Sequence, residues 1–179
     1  MWTVGHSTRS LDELVDLMRA HGVALIADVR KIPRSRRYPH FDAATLPTTL
    51  AAAGLRYVHL PGLGGLRRAR RDSANRGWRN PSFRGYADYM QTAEFAAALA
   101  ELIGLGRERP TAIMCAEAYW RRCHRALVAD ALLARGEPVF HILTAARAEA
   151  HRLPDFARVE AGTVTYPAEP ELFEPRDPG

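Results

Sequence analysis

Apolar runs and amphipathic stretches alternate from the first residues onward, and this alternation predicts strands and helices in turn. WTVG at residues 2–5 is a short apolar run that ends in glycine, which is typical of a strand. Residues 11–20 place their apolar side chains on one helical stripe, and Ser10 and Glu13 have the spacing of a capping box at its start. VALIADVR at residues 23–30 is continuously apolar, as expected of a strand that is covered on both faces.

The same alternation continues along the rest of the chain. It predicts, in order, a helix at 42–54, a strand at 55–60, one or two helices at 86–106, a strand at 110–115, a helix at 121–136, a strand at 137–143, a short helix at 144–152 and a last strand at 162–167. Residues 61–85 lack periodicity, and a loop of that length is often functional. We therefore expect an α/β fold, with a single three-layer domain over residues 1–166 whose mostly parallel sheet is flanked by helices, followed by an acidic, proline-rich tail at 167–179.

Polar residues collect where the predicted strands end. His6 and Ser7 follow the first strand, Arg30 closes the second, and Cys115 and Glu117 close the strand at 110–115. Ligand sites in parallel α/β sheets lie at the carboxyl ends of the strands. We therefore expect these residues to meet along one rim of the sheet.

Composition excludes several classes of protein. Hydrophobic residues make up 47% of the chain, which is typical of a globular domain and argues against disorder. No apolar run reaches the roughly eighteen residues of a membrane span, so we expect no membrane association. The N-terminus lacks the pattern of a signal peptide, and we expect a cytoplasmic protein with two reduced cysteines.

The positive charge is almost entirely arginine and it is clustered. The net charge is +5, and Lys31 is the only lysine. Residues 30–37 contain five cations and no acid, and residues 67–84 contain seven cations against one aspartate. A general arginine bias explains the total, but the clustering favours an anion site, because arginine binds phosphate through two parallel hydrogen bonds.

Five segments together resemble a known family. They are GHSTRSLDEL, DVRKIPRSRRYPHF, LPGLGG, GWRNPSFRGYADYM and MCAEAYWRRCHR, and they run in the same order over roughly residues 3 to 143. The chain is identified by them as a member of the bacterial and archaeal proteins called domain of unknown function 488, whose mark is a C-x-E-x5-C-H-R pattern. The resemblance implies an α/β fold and a soluble protein, and it implies no particular reaction.

MCAEAYWRRCHR at residues 114–125 holds both cysteines, and two thiol-based interpretations compete for it. In one, Cys115 is the nucleophile of a phosphatase or sulfurtransferase, since a helix N-terminus lowers a thiol pKa and Arg121 completes a C-x5-R spacing. In the other, Cys115, Cys123 and His124 bind zinc with His6 as the fourth ligand. Adjacent Cys123 and His124 are poorly spaced for joint ligation, so we expect neither a metal nor another cofactor.

The favoured interpretation is an enzyme that acts on a phosphate-bearing ligand, either a nucleotide or nucleic acid. Glu117 and His124 would then perform acid–base chemistry, with His6 and Ser7 orienting the substrate or a catalytic partner. The anion would be bound by arginines at the rim and in the long loop, namely Arg30, Arg79, Arg121 and Arg125. Two further interpretations stay open, one in which Glu117 only pairs with a neighbouring arginine, the other a thiol redox switch.

The segment GWRNPSFRGYADY at residues 77–89 interleaves aromatic residues with arginines. Trp78 and Tyr86 could stack on bases while the arginines contact phosphates, which makes a non-catalytic nucleic-acid-binding module the alternative of a different class. Phe83 is expected to attach the loop to the core. This sequence pattern does not distinguish a protein that only binds nucleic acid from one that also catalyses a reaction on it.

Overall fold

A six-stranded mixed sheet forms the centre of the molecule. The computed structural model describes residues 1–168, so residues 169–179 of the predicted tail lie outside the described residues. The strands are β1 (Trp2–Gly5), β2 (Leu25–Asp28), β3 (Arg56–His59), β4 (Thr111–Cys115), β5 (Phe140–Thr144) and β6 (Arg147–Ala150). Their order is β3-β2-β4-β1-β5-β6, with the first five parallel and β6 antiparallel to β5.

Among residues 1–168, five helices cover both faces of the sheet. They are α1 (Leu11–Ala20), α2 (Leu46–Ala52), α3 (Pro81–Tyr89), α4 (Ala93–Glu108) and α5 (Arg125–Leu133). One apolar core joins the sheet to α1 and α2, and a second joins it to α3, α4 and α5. The predicted α/β fold with three layers and a mostly parallel sheet is therefore confirmed.

Strand β2 contributes side chains to both cores in alternation. Leu25 and Ala27 face the core of α3 to α5, whereas Ile26 faces the core of α1 and α2. Ile113 and Met114 divide in the same way on β4. Because successive side chains of a strand point to opposite faces, burial on both sides requires an unbroken apolar run, as the sequence predicted.

Helix α1 begins at the predicted capping box. The Ser10 hydroxyl accepts a hydrogen bond from the Glu13 backbone at 3.1 Å, and the Glu13 carboxylate accepts one from the Ser10 backbone at 2.6 Å. Two otherwise unsatisfied N–H groups are thereby satisfied at the first turn. Helix α5 begins later than predicted, at Arg125, because Trp120–Arg122 forms a 3-10 turn of its own.

The segment predicted as a short helix at 144–152 is a strand, so that prediction was wrong. Strand β6 pairs with β5 as an antiparallel hairpin, with Glu149 opposite His141. Alanines at 145, 146, 148 and 150 favour helix locally, but pairing with the edge of the sheet outweighs that preference. The predicted last strand is β8 (Thr163–Thr165), which pairs with β7 (Arg158–Glu160) in a separate two-stranded sheet.

The long loop before α3 is irregular but anchored. It contains one 3-10 turn at Pro61–Leu63 and then no helix until Pro81. The buried Asp88 carboxylate on α3 accepts hydrogen bonds from the Ser73 hydroxyl at 2.6 Å and the Asn75 amide at 2.9 Å. Within residues 1–168, no helix has the length and apolar character needed to cross a membrane.

Candidate functional site

The register of the sheet brings the predicted strand ends to one edge. Gly5 at the end of β1 lies opposite Cys115 at the end of β4, and Asp28 of β2 lies opposite Met114. The ladder continues past the strands, because the His6 backbone N–H donates to the Cys115 carbonyl at 2.9 Å. A β-carbon on Gly5 would lie 2.0 Å from the Glu117 carbonyl oxygen, so only glycine allows the segment after β4 to approach this closely.

Two adjoining pockets open over this edge. The first, here called the basic pocket, has a volume of about 540 Å³, and its charged and hydroxyl-bearing lining residues include Ser7, Arg30, Lys31, Arg34, Ser35 and Arg37. The second, here called the thiol pocket, has a volume of about 500 Å³ and is lined by residues that include Ser82, Phe83, Tyr86, Glu117, Arg122 and Cys123. Both pockets share Gly65, Leu66, Cys115, Ala116 and His124. We call the two together the rim cleft.

The backbone of Gly65 and Leu66, here called the ridge, lies in the wall that the two pockets share. Leu66 lies on it with 81% of its surface exposed and a φ of 61°, in the left-handed region that leucine rarely adopts. Gly65 beside it packs flat against the His124 ring, since a β-carbon there would lie 3.0 Å from His124 Nδ1. The ridge therefore holds His124 in the wall that both pockets share.

His6 and Arg30 form a buried hydrogen-bonded pair instead of two separate ligand contacts. Arg30 Nε and Nη2 donate to both carboxylate oxygens of Asp28 at 2.6 to 3.1 Å, and Nη2 also donates to the Phe41 carbonyl at 2.8 Å. Arg30 Nη1 donates to His6 Nε2 at 3.2 Å. Of the guanidinium, only Nη1 has a hydrogen left for a ligand in the basic pocket.

The same contacts determine the tautomer of His6. Because arginine can only donate, His6 Nε2 accepts, and the ring hydrogen lies on Nδ1, which donates to the Ser7 carbonyl at 3.1 Å. Burial and the nearby Arg30 charge lower the pKa of His6 to about 4. Both ring nitrogens are thus engaged, so His6 positions Arg30 and presents no free nitrogen as a general base or as a zinc ligand.

Arg125 faces inward and has a different role from the predicted one. Its side chain is 1% exposed and is absent from the lining of both pockets. Arg125 Nη2 donates to the Glu117 carbonyl at 2.5 Å, and Nε donates to Cys123 Sγ at 3.4 Å. The guanidinium therefore fastens the segment between β4 and α5, which corrects the prediction that it binds an anion at the rim.

The two thiols contact one another in the wall of the thiol pocket. The neighbouring Cys123 sulfur, together with burial, raises the pKa of Cys115, and the neighbouring Cys115 thiol lowers the pKa of Cys123. The sequence interpretation placed the nucleophilic thiolate on Cys115. The side-chain contacts favour the thiolate on Cys123 instead, because Arg125 Nε donates to the Cys123 sulfur at 3.4 Å.

Glu117 and His124 lie in the same cleft but differ in their solvent exposure and in their hydrogen bonds. Glu117 is exposed, and one carboxylate oxygen accepts a hydrogen bond from the Tyr119 backbone at 2.9 Å, while the other has no hydrogen-bond partner in the described part of the chain. His124 is partly buried, with Nε2 at 3.2 Å from the Val29 carbonyl and Nδ1 at 3.7 Å from Cys123 Sγ. The donor atoms of Cys115, Cys123 and His124 all lie within 4.8 Å of one another, which chain spacing alone did not indicate.

The remaining predicted arginines lie away from the rim cleft. Arg121 pairs with Glu149 at 2.6 Å, stacks over Trp120 and lines a separate cavity of about 670 Å³. The C-x5-R spacing therefore does not bring Arg121 to the Cys115 thiol. Arg79 is exposed in the long loop and is absent from the lining of both pockets.

Both predicted stacking residues pack into the protein. Trp78 stacks on Phe83 with ring centroids 4.8 Å apart, and it meets Tyr166 edge-on at 5.4 Å. Tyr86 is 1% exposed, and its hydroxyl donates to the Leu63 carbonyl at 2.7 Å, although its ring edge reaches the thiol pocket. The buried Tyr86 ring is not an open surface for a base, whereas Trp78 is half-buried and lines the separate cavity of about 670 Å³. Phe83 attaches the loop as expected.

Sequence reasoning missed several lining residues. Lys31, Arg34 and Arg37 line the basic pocket. The available signal was the run of five cations at residues 30–37, which marked the segment without indicating which side chains face the cleft. The pairing of Asp28, the last residue of β2, with Arg30 was not predicted either.

The fold and this cleft define the chain as an α/β protein with a candidate ligand site at the carboxyl edge of its parallel strands. Residues 10–132 match the family described as Domain of unknown function DUF488, and the chain belongs to that family. No curated protein and no solved structure matches the chain significantly. The resemblance drawn from the five sequence segments is thereby confirmed at the level of the family.

Proposed function

We propose that the rim cleft is the active site of a hydrolase or transferase that acts on a phosphate-containing substrate, either a nucleotide or nucleic acid. The observation that carries this proposal is the wall of the basic pocket, which contains three exposed cations. These cations lie in the same cleft as His124 and Glu117, which can transfer a proton. Phosphate needs several charge-assisted donors, and phosphoryl chemistry needs little more than positioning and charge stabilisation. The cleft offers both within one concavity.

The cations in that wall are available to a ligand. Lys31, Arg34 and Arg37 are exposed and line the basic pocket, and none of them pairs with a carboxylate in the part of the chain that the structure describes. Arg30, by contrast, has its charge compensated by Asp28. Unpaired cations that share a concave wall favour an anion, because its charge offsets their mutual repulsion.

Ser7 and Ser35 add hydroxyl groups to the same wall. Ser7 also has a φ of 50°, a conformation uncommon outside glycine, at the turn where β1 ends. Residues held in such conformations cluster at ligand sites, where the surrounding structure keeps them in place. The strained turn therefore supports a binding role for the segment after β1.

Glu117 and His124 supply the acid–base groups of the proposal. The free carboxylate oxygen of Glu117 can accept a proton from an attacking water or hydroxyl group. The Val29 carbonyl can only accept a hydrogen bond, so His124 Nε2 carries the ring hydrogen and only Nδ1 can take up a proton. Glu117 is therefore the leading general base, with His124 limited to its Nδ1 side.

The alternative of a non-catalytic nucleic-acid-binding module is favoured by one observation. The loop between β3 and α3 carries several exposed arginines, namely Arg68, Arg70, Arg71, Arg76 and Arg79. Such a surface attracts a polynucleotide backbone without positioning any bond for cleavage. A steep salt dependence of RNA or DNA binding, in the absence of turnover, would favour this alternative.

The test uses single substitutions within one basic segment. Arg34→Ala and Arg37→Ala should each weaken nucleotide or phosphate binding about tenfold, because a charge-assisted hydrogen bond contributes roughly 1.5–3 kcal/mol and about 1.4 kcal/mol is one decade in Kd. Arg36→Ala is the matched control, since Arg36 is exposed in the same segment but absent from the pocket lining. Calorimetric titration at low salt measures all three.

Catalysis is tested separately from binding. Glu117→Gln should retain nucleotide affinity within about twofold and lose turnover by on the order of a hundredfold, as expected for a general base. If inorganic phosphate, nucleotides, RNA and DNA all fail to bind the wild type at low salt, the phosphate proposal is wrong. Equal losses for Arg34→Ala and Arg36→Ala would reduce it to non-specific surface attraction.

A further inference from the structure

Three metal-ligating atoms converge where the two pockets meet. Cys115 ends β4, and Cys123 and His124 immediately precede α5. The two sulfur atoms and a ring nitrogen of His124 lie within 4.8 Å of one another, and the Cys123 sulfur is 3.7 Å from Nδ1. A tetrahedral zinc ion with Zn–S of about 2.3 Å and Zn–N of about 2.0–2.1 Å requires a sulfur-to-nitrogen separation of about 3.6 Å. The separation of 3.7 Å between the Cys123 sulfur and His124 Nδ1 matches that requirement.

We propose that Cys115, Cys123 and His124 bind one Zn²⁺ ion and leave its fourth coordination position open to the rim cleft. Two thiolates balance the charge of a divalent cation, and thiolate and imidazole donors are those that zinc prefers. Sequence spacing argued against joint ligation by the adjacent Cys123 and His124. That objection no longer holds, because the extended backbone of Cys123 (φ −121°, ψ 144°) and the helical backbone of His124 bring the two side chains together.

The hydrogen bond of His124 prepares it as a ligand. Nε2 lies 3.2 Å from the Val29 carbonyl, which fixes the ring hydrogen on Nε2 and leaves a lone pair on Nδ1. Metal-binding histidines commonly donate their other N–H group to a backbone carbonyl or carboxylate in this way. Gly65 holds the ring from the other side, so the imidazole is oriented before any metal arrives.

Arg125 supports the sulfur side of the same site. Its Nε donates to the Cys123 sulfur at 3.4 Å, and its other contacts are the Glu117 and Ala118 carbonyls. Arg125 is 1% exposed and forms no ion pair with a carboxylate among residues 1–168. A buried cation without an acidic partner is best compensated by thiolate sulfur, which is the form that binds a metal.

The fourth position faces the cleft. Cys115 and His124 line both pockets and Cys123 lines one, whereas His6, the fourth ligand considered from the sequence, has both ring nitrogens engaged. Three protein ligands with one open position characterise catalytic zinc sites rather than structural ones. In this respect the inference rests on the proposed function, since the open position would accept water or a phosphate oxygen beside the basic wall. A metal would occupy His124 Nδ1, so Glu117 would then be the general base of the proposed reaction.

Metal binding is measured directly on the metal-free full chain. Titration with Co²⁺ should produce a one-to-one thiolate-to-cobalt charge-transfer absorption, and added Zn²⁺ should displace it. Cys115→Ser, Cys123→Ser and His124→Gln should each weaken binding by at least a hundredfold. His6→Gln should leave the stoichiometry unchanged, because His6 lies outside the donor cluster. Circular dichroism checks that each variant is folded.

A second measurement needs no variant. Zn²⁺ should protect both Cys115 and Cys123 of the wild type from alkylation, with mass spectrometry locating the modified residue. Unchanged alkylation of both thiols with Zn²⁺ present, or a cobalt spectrum that the Cys→Ser variants retain, would overturn the metal site. Arg34→Ala should leave the cobalt titration unaltered, so failure of phosphate binding and failure of metal binding remain separate results.

Discussion

At the scale of single residues, burial decides what each arginine does. Arg30 and Arg125 are 7% and 1% exposed and hold other parts of the chain, whereas Arg34 and Arg37 are exposed in the wall of the basic pocket. All four occur in arginine-rich segments and look alike in sequence. The sequence therefore predicted an anion site of the right composition but could not separate inward from outward guanidinium groups.

Replacing Arg125 tests its structural role. Arg125→Ala should lower the free energy of unfolding by about 2–4 kcal/mol, because it removes buried charge-assisted hydrogen bonds and leaves a cavity. Arg125→Lys should recover only part of this loss. It restores the positive charge, but a single ammonium group cannot reach both the Glu117 carbonyl and the Cys123 sulfur. Urea denaturation provides the measurement.

The matched control for Arg125 is its exposed neighbour in the same segment. Arg122→Ala should change stability by no more than about 0.5 kcal/mol, as is usual for surface positions. If Arg125→Ala and Arg122→Ala were equally stable, the inward-facing guanidinium would contribute nothing to the fold. The conclusion that Arg125 stabilises the segment between β4 and α5 would then be wrong.

At the scale of secondary-structure elements, local sequence patterns predicted the correct element where the tertiary fold buries the same residues. Strand β1 and helix α1 were predicted because an apolar run ending in glycine and a capping box each have a local physical cause. Strand β6 was missed because its alanines favour helix and its pairing partner β5 is supplied only by the tertiary fold. Likewise, β7 is short and exposed, so it has little apolar pattern to recognise.

The capping box of α1 provides a prediction at this scale. Ser10→Ala should reduce the free energy of unfolding by about 1 kcal/mol, because the Glu13 N–H loses the side-chain acceptor that satisfies it. Ser82→Ala is the comparison, since the Ser82 hydroxyl does not cap α3, whose N-terminus is capped by the Asn80 side chain. Thermal or urea unfolding of both variants measures the difference, and equal stabilities would contradict the role of the box.

At the scale of the whole molecule, a buried hydrogen-bonded chain connects distant segments. It runs from the Thr3 hydroxyl through His141 at 2.7 Å and His151 at 3.0 Å to the Asp130 carboxylate at 2.7 Å. The Tyr166 hydroxyl donates to the other oxygen of Asp130 at 2.6 Å. The chain ties β1, β5 and α5 to the segment after β8, so its protonation state bears on the entire fold.

The pH dependence of stability follows from this chain. Burial, together with the charges of His151, Arg125 and Arg121, lowers the pKa of His141 to about 3, against about 6.5 when unfolded. The unfolded state therefore binds more protons between these two values, and the stability from neutral His141 is lost as the pH falls below about 6.5. The loss should reach about 2 kcal/mol at pH 5 relative to pH 7.

A substitution isolates the share of His141 in that dependence. His141→Gln should be less stable than the wild type at pH 7, but its stability should fall less between pH 7 and pH 5. Urea titrations at the two pH values give the difference between the slopes. Identical slopes for the two proteins would mean that His141 titrates in the folded state as freely as in the unfolded one.

The convergence of strand ends at one edge could be predicted from the sequence, but the geometry that brings Cys115, Cys123 and His124 together could not. Parallel strands must place His6, Arg30 and Cys115 at the same rim, whatever the details of packing. The approach of Cys115 to Cys123 depends instead on the 3-10 turn at Trp120–Arg122 and on glycine at position 5, and neither has a strong local signal. Tertiary contacts therefore determined the part of the site that the sequence left open.

The ridge at Leu66 has a practical consequence for redesign of the cleft. A leucine in the left-handed region costs about 1–2 kcal/mol that a glycine would avoid, yet its side chain is 81% exposed and adds little to the core. The exposed leucine places an apolar surface between the two pockets. Residues that tolerate the left-handed backbone, as in Leu66→Gly and Leu66→Asn, should therefore retain the fold, which makes position 66 the natural starting point for engineering which ligands the cleft selects.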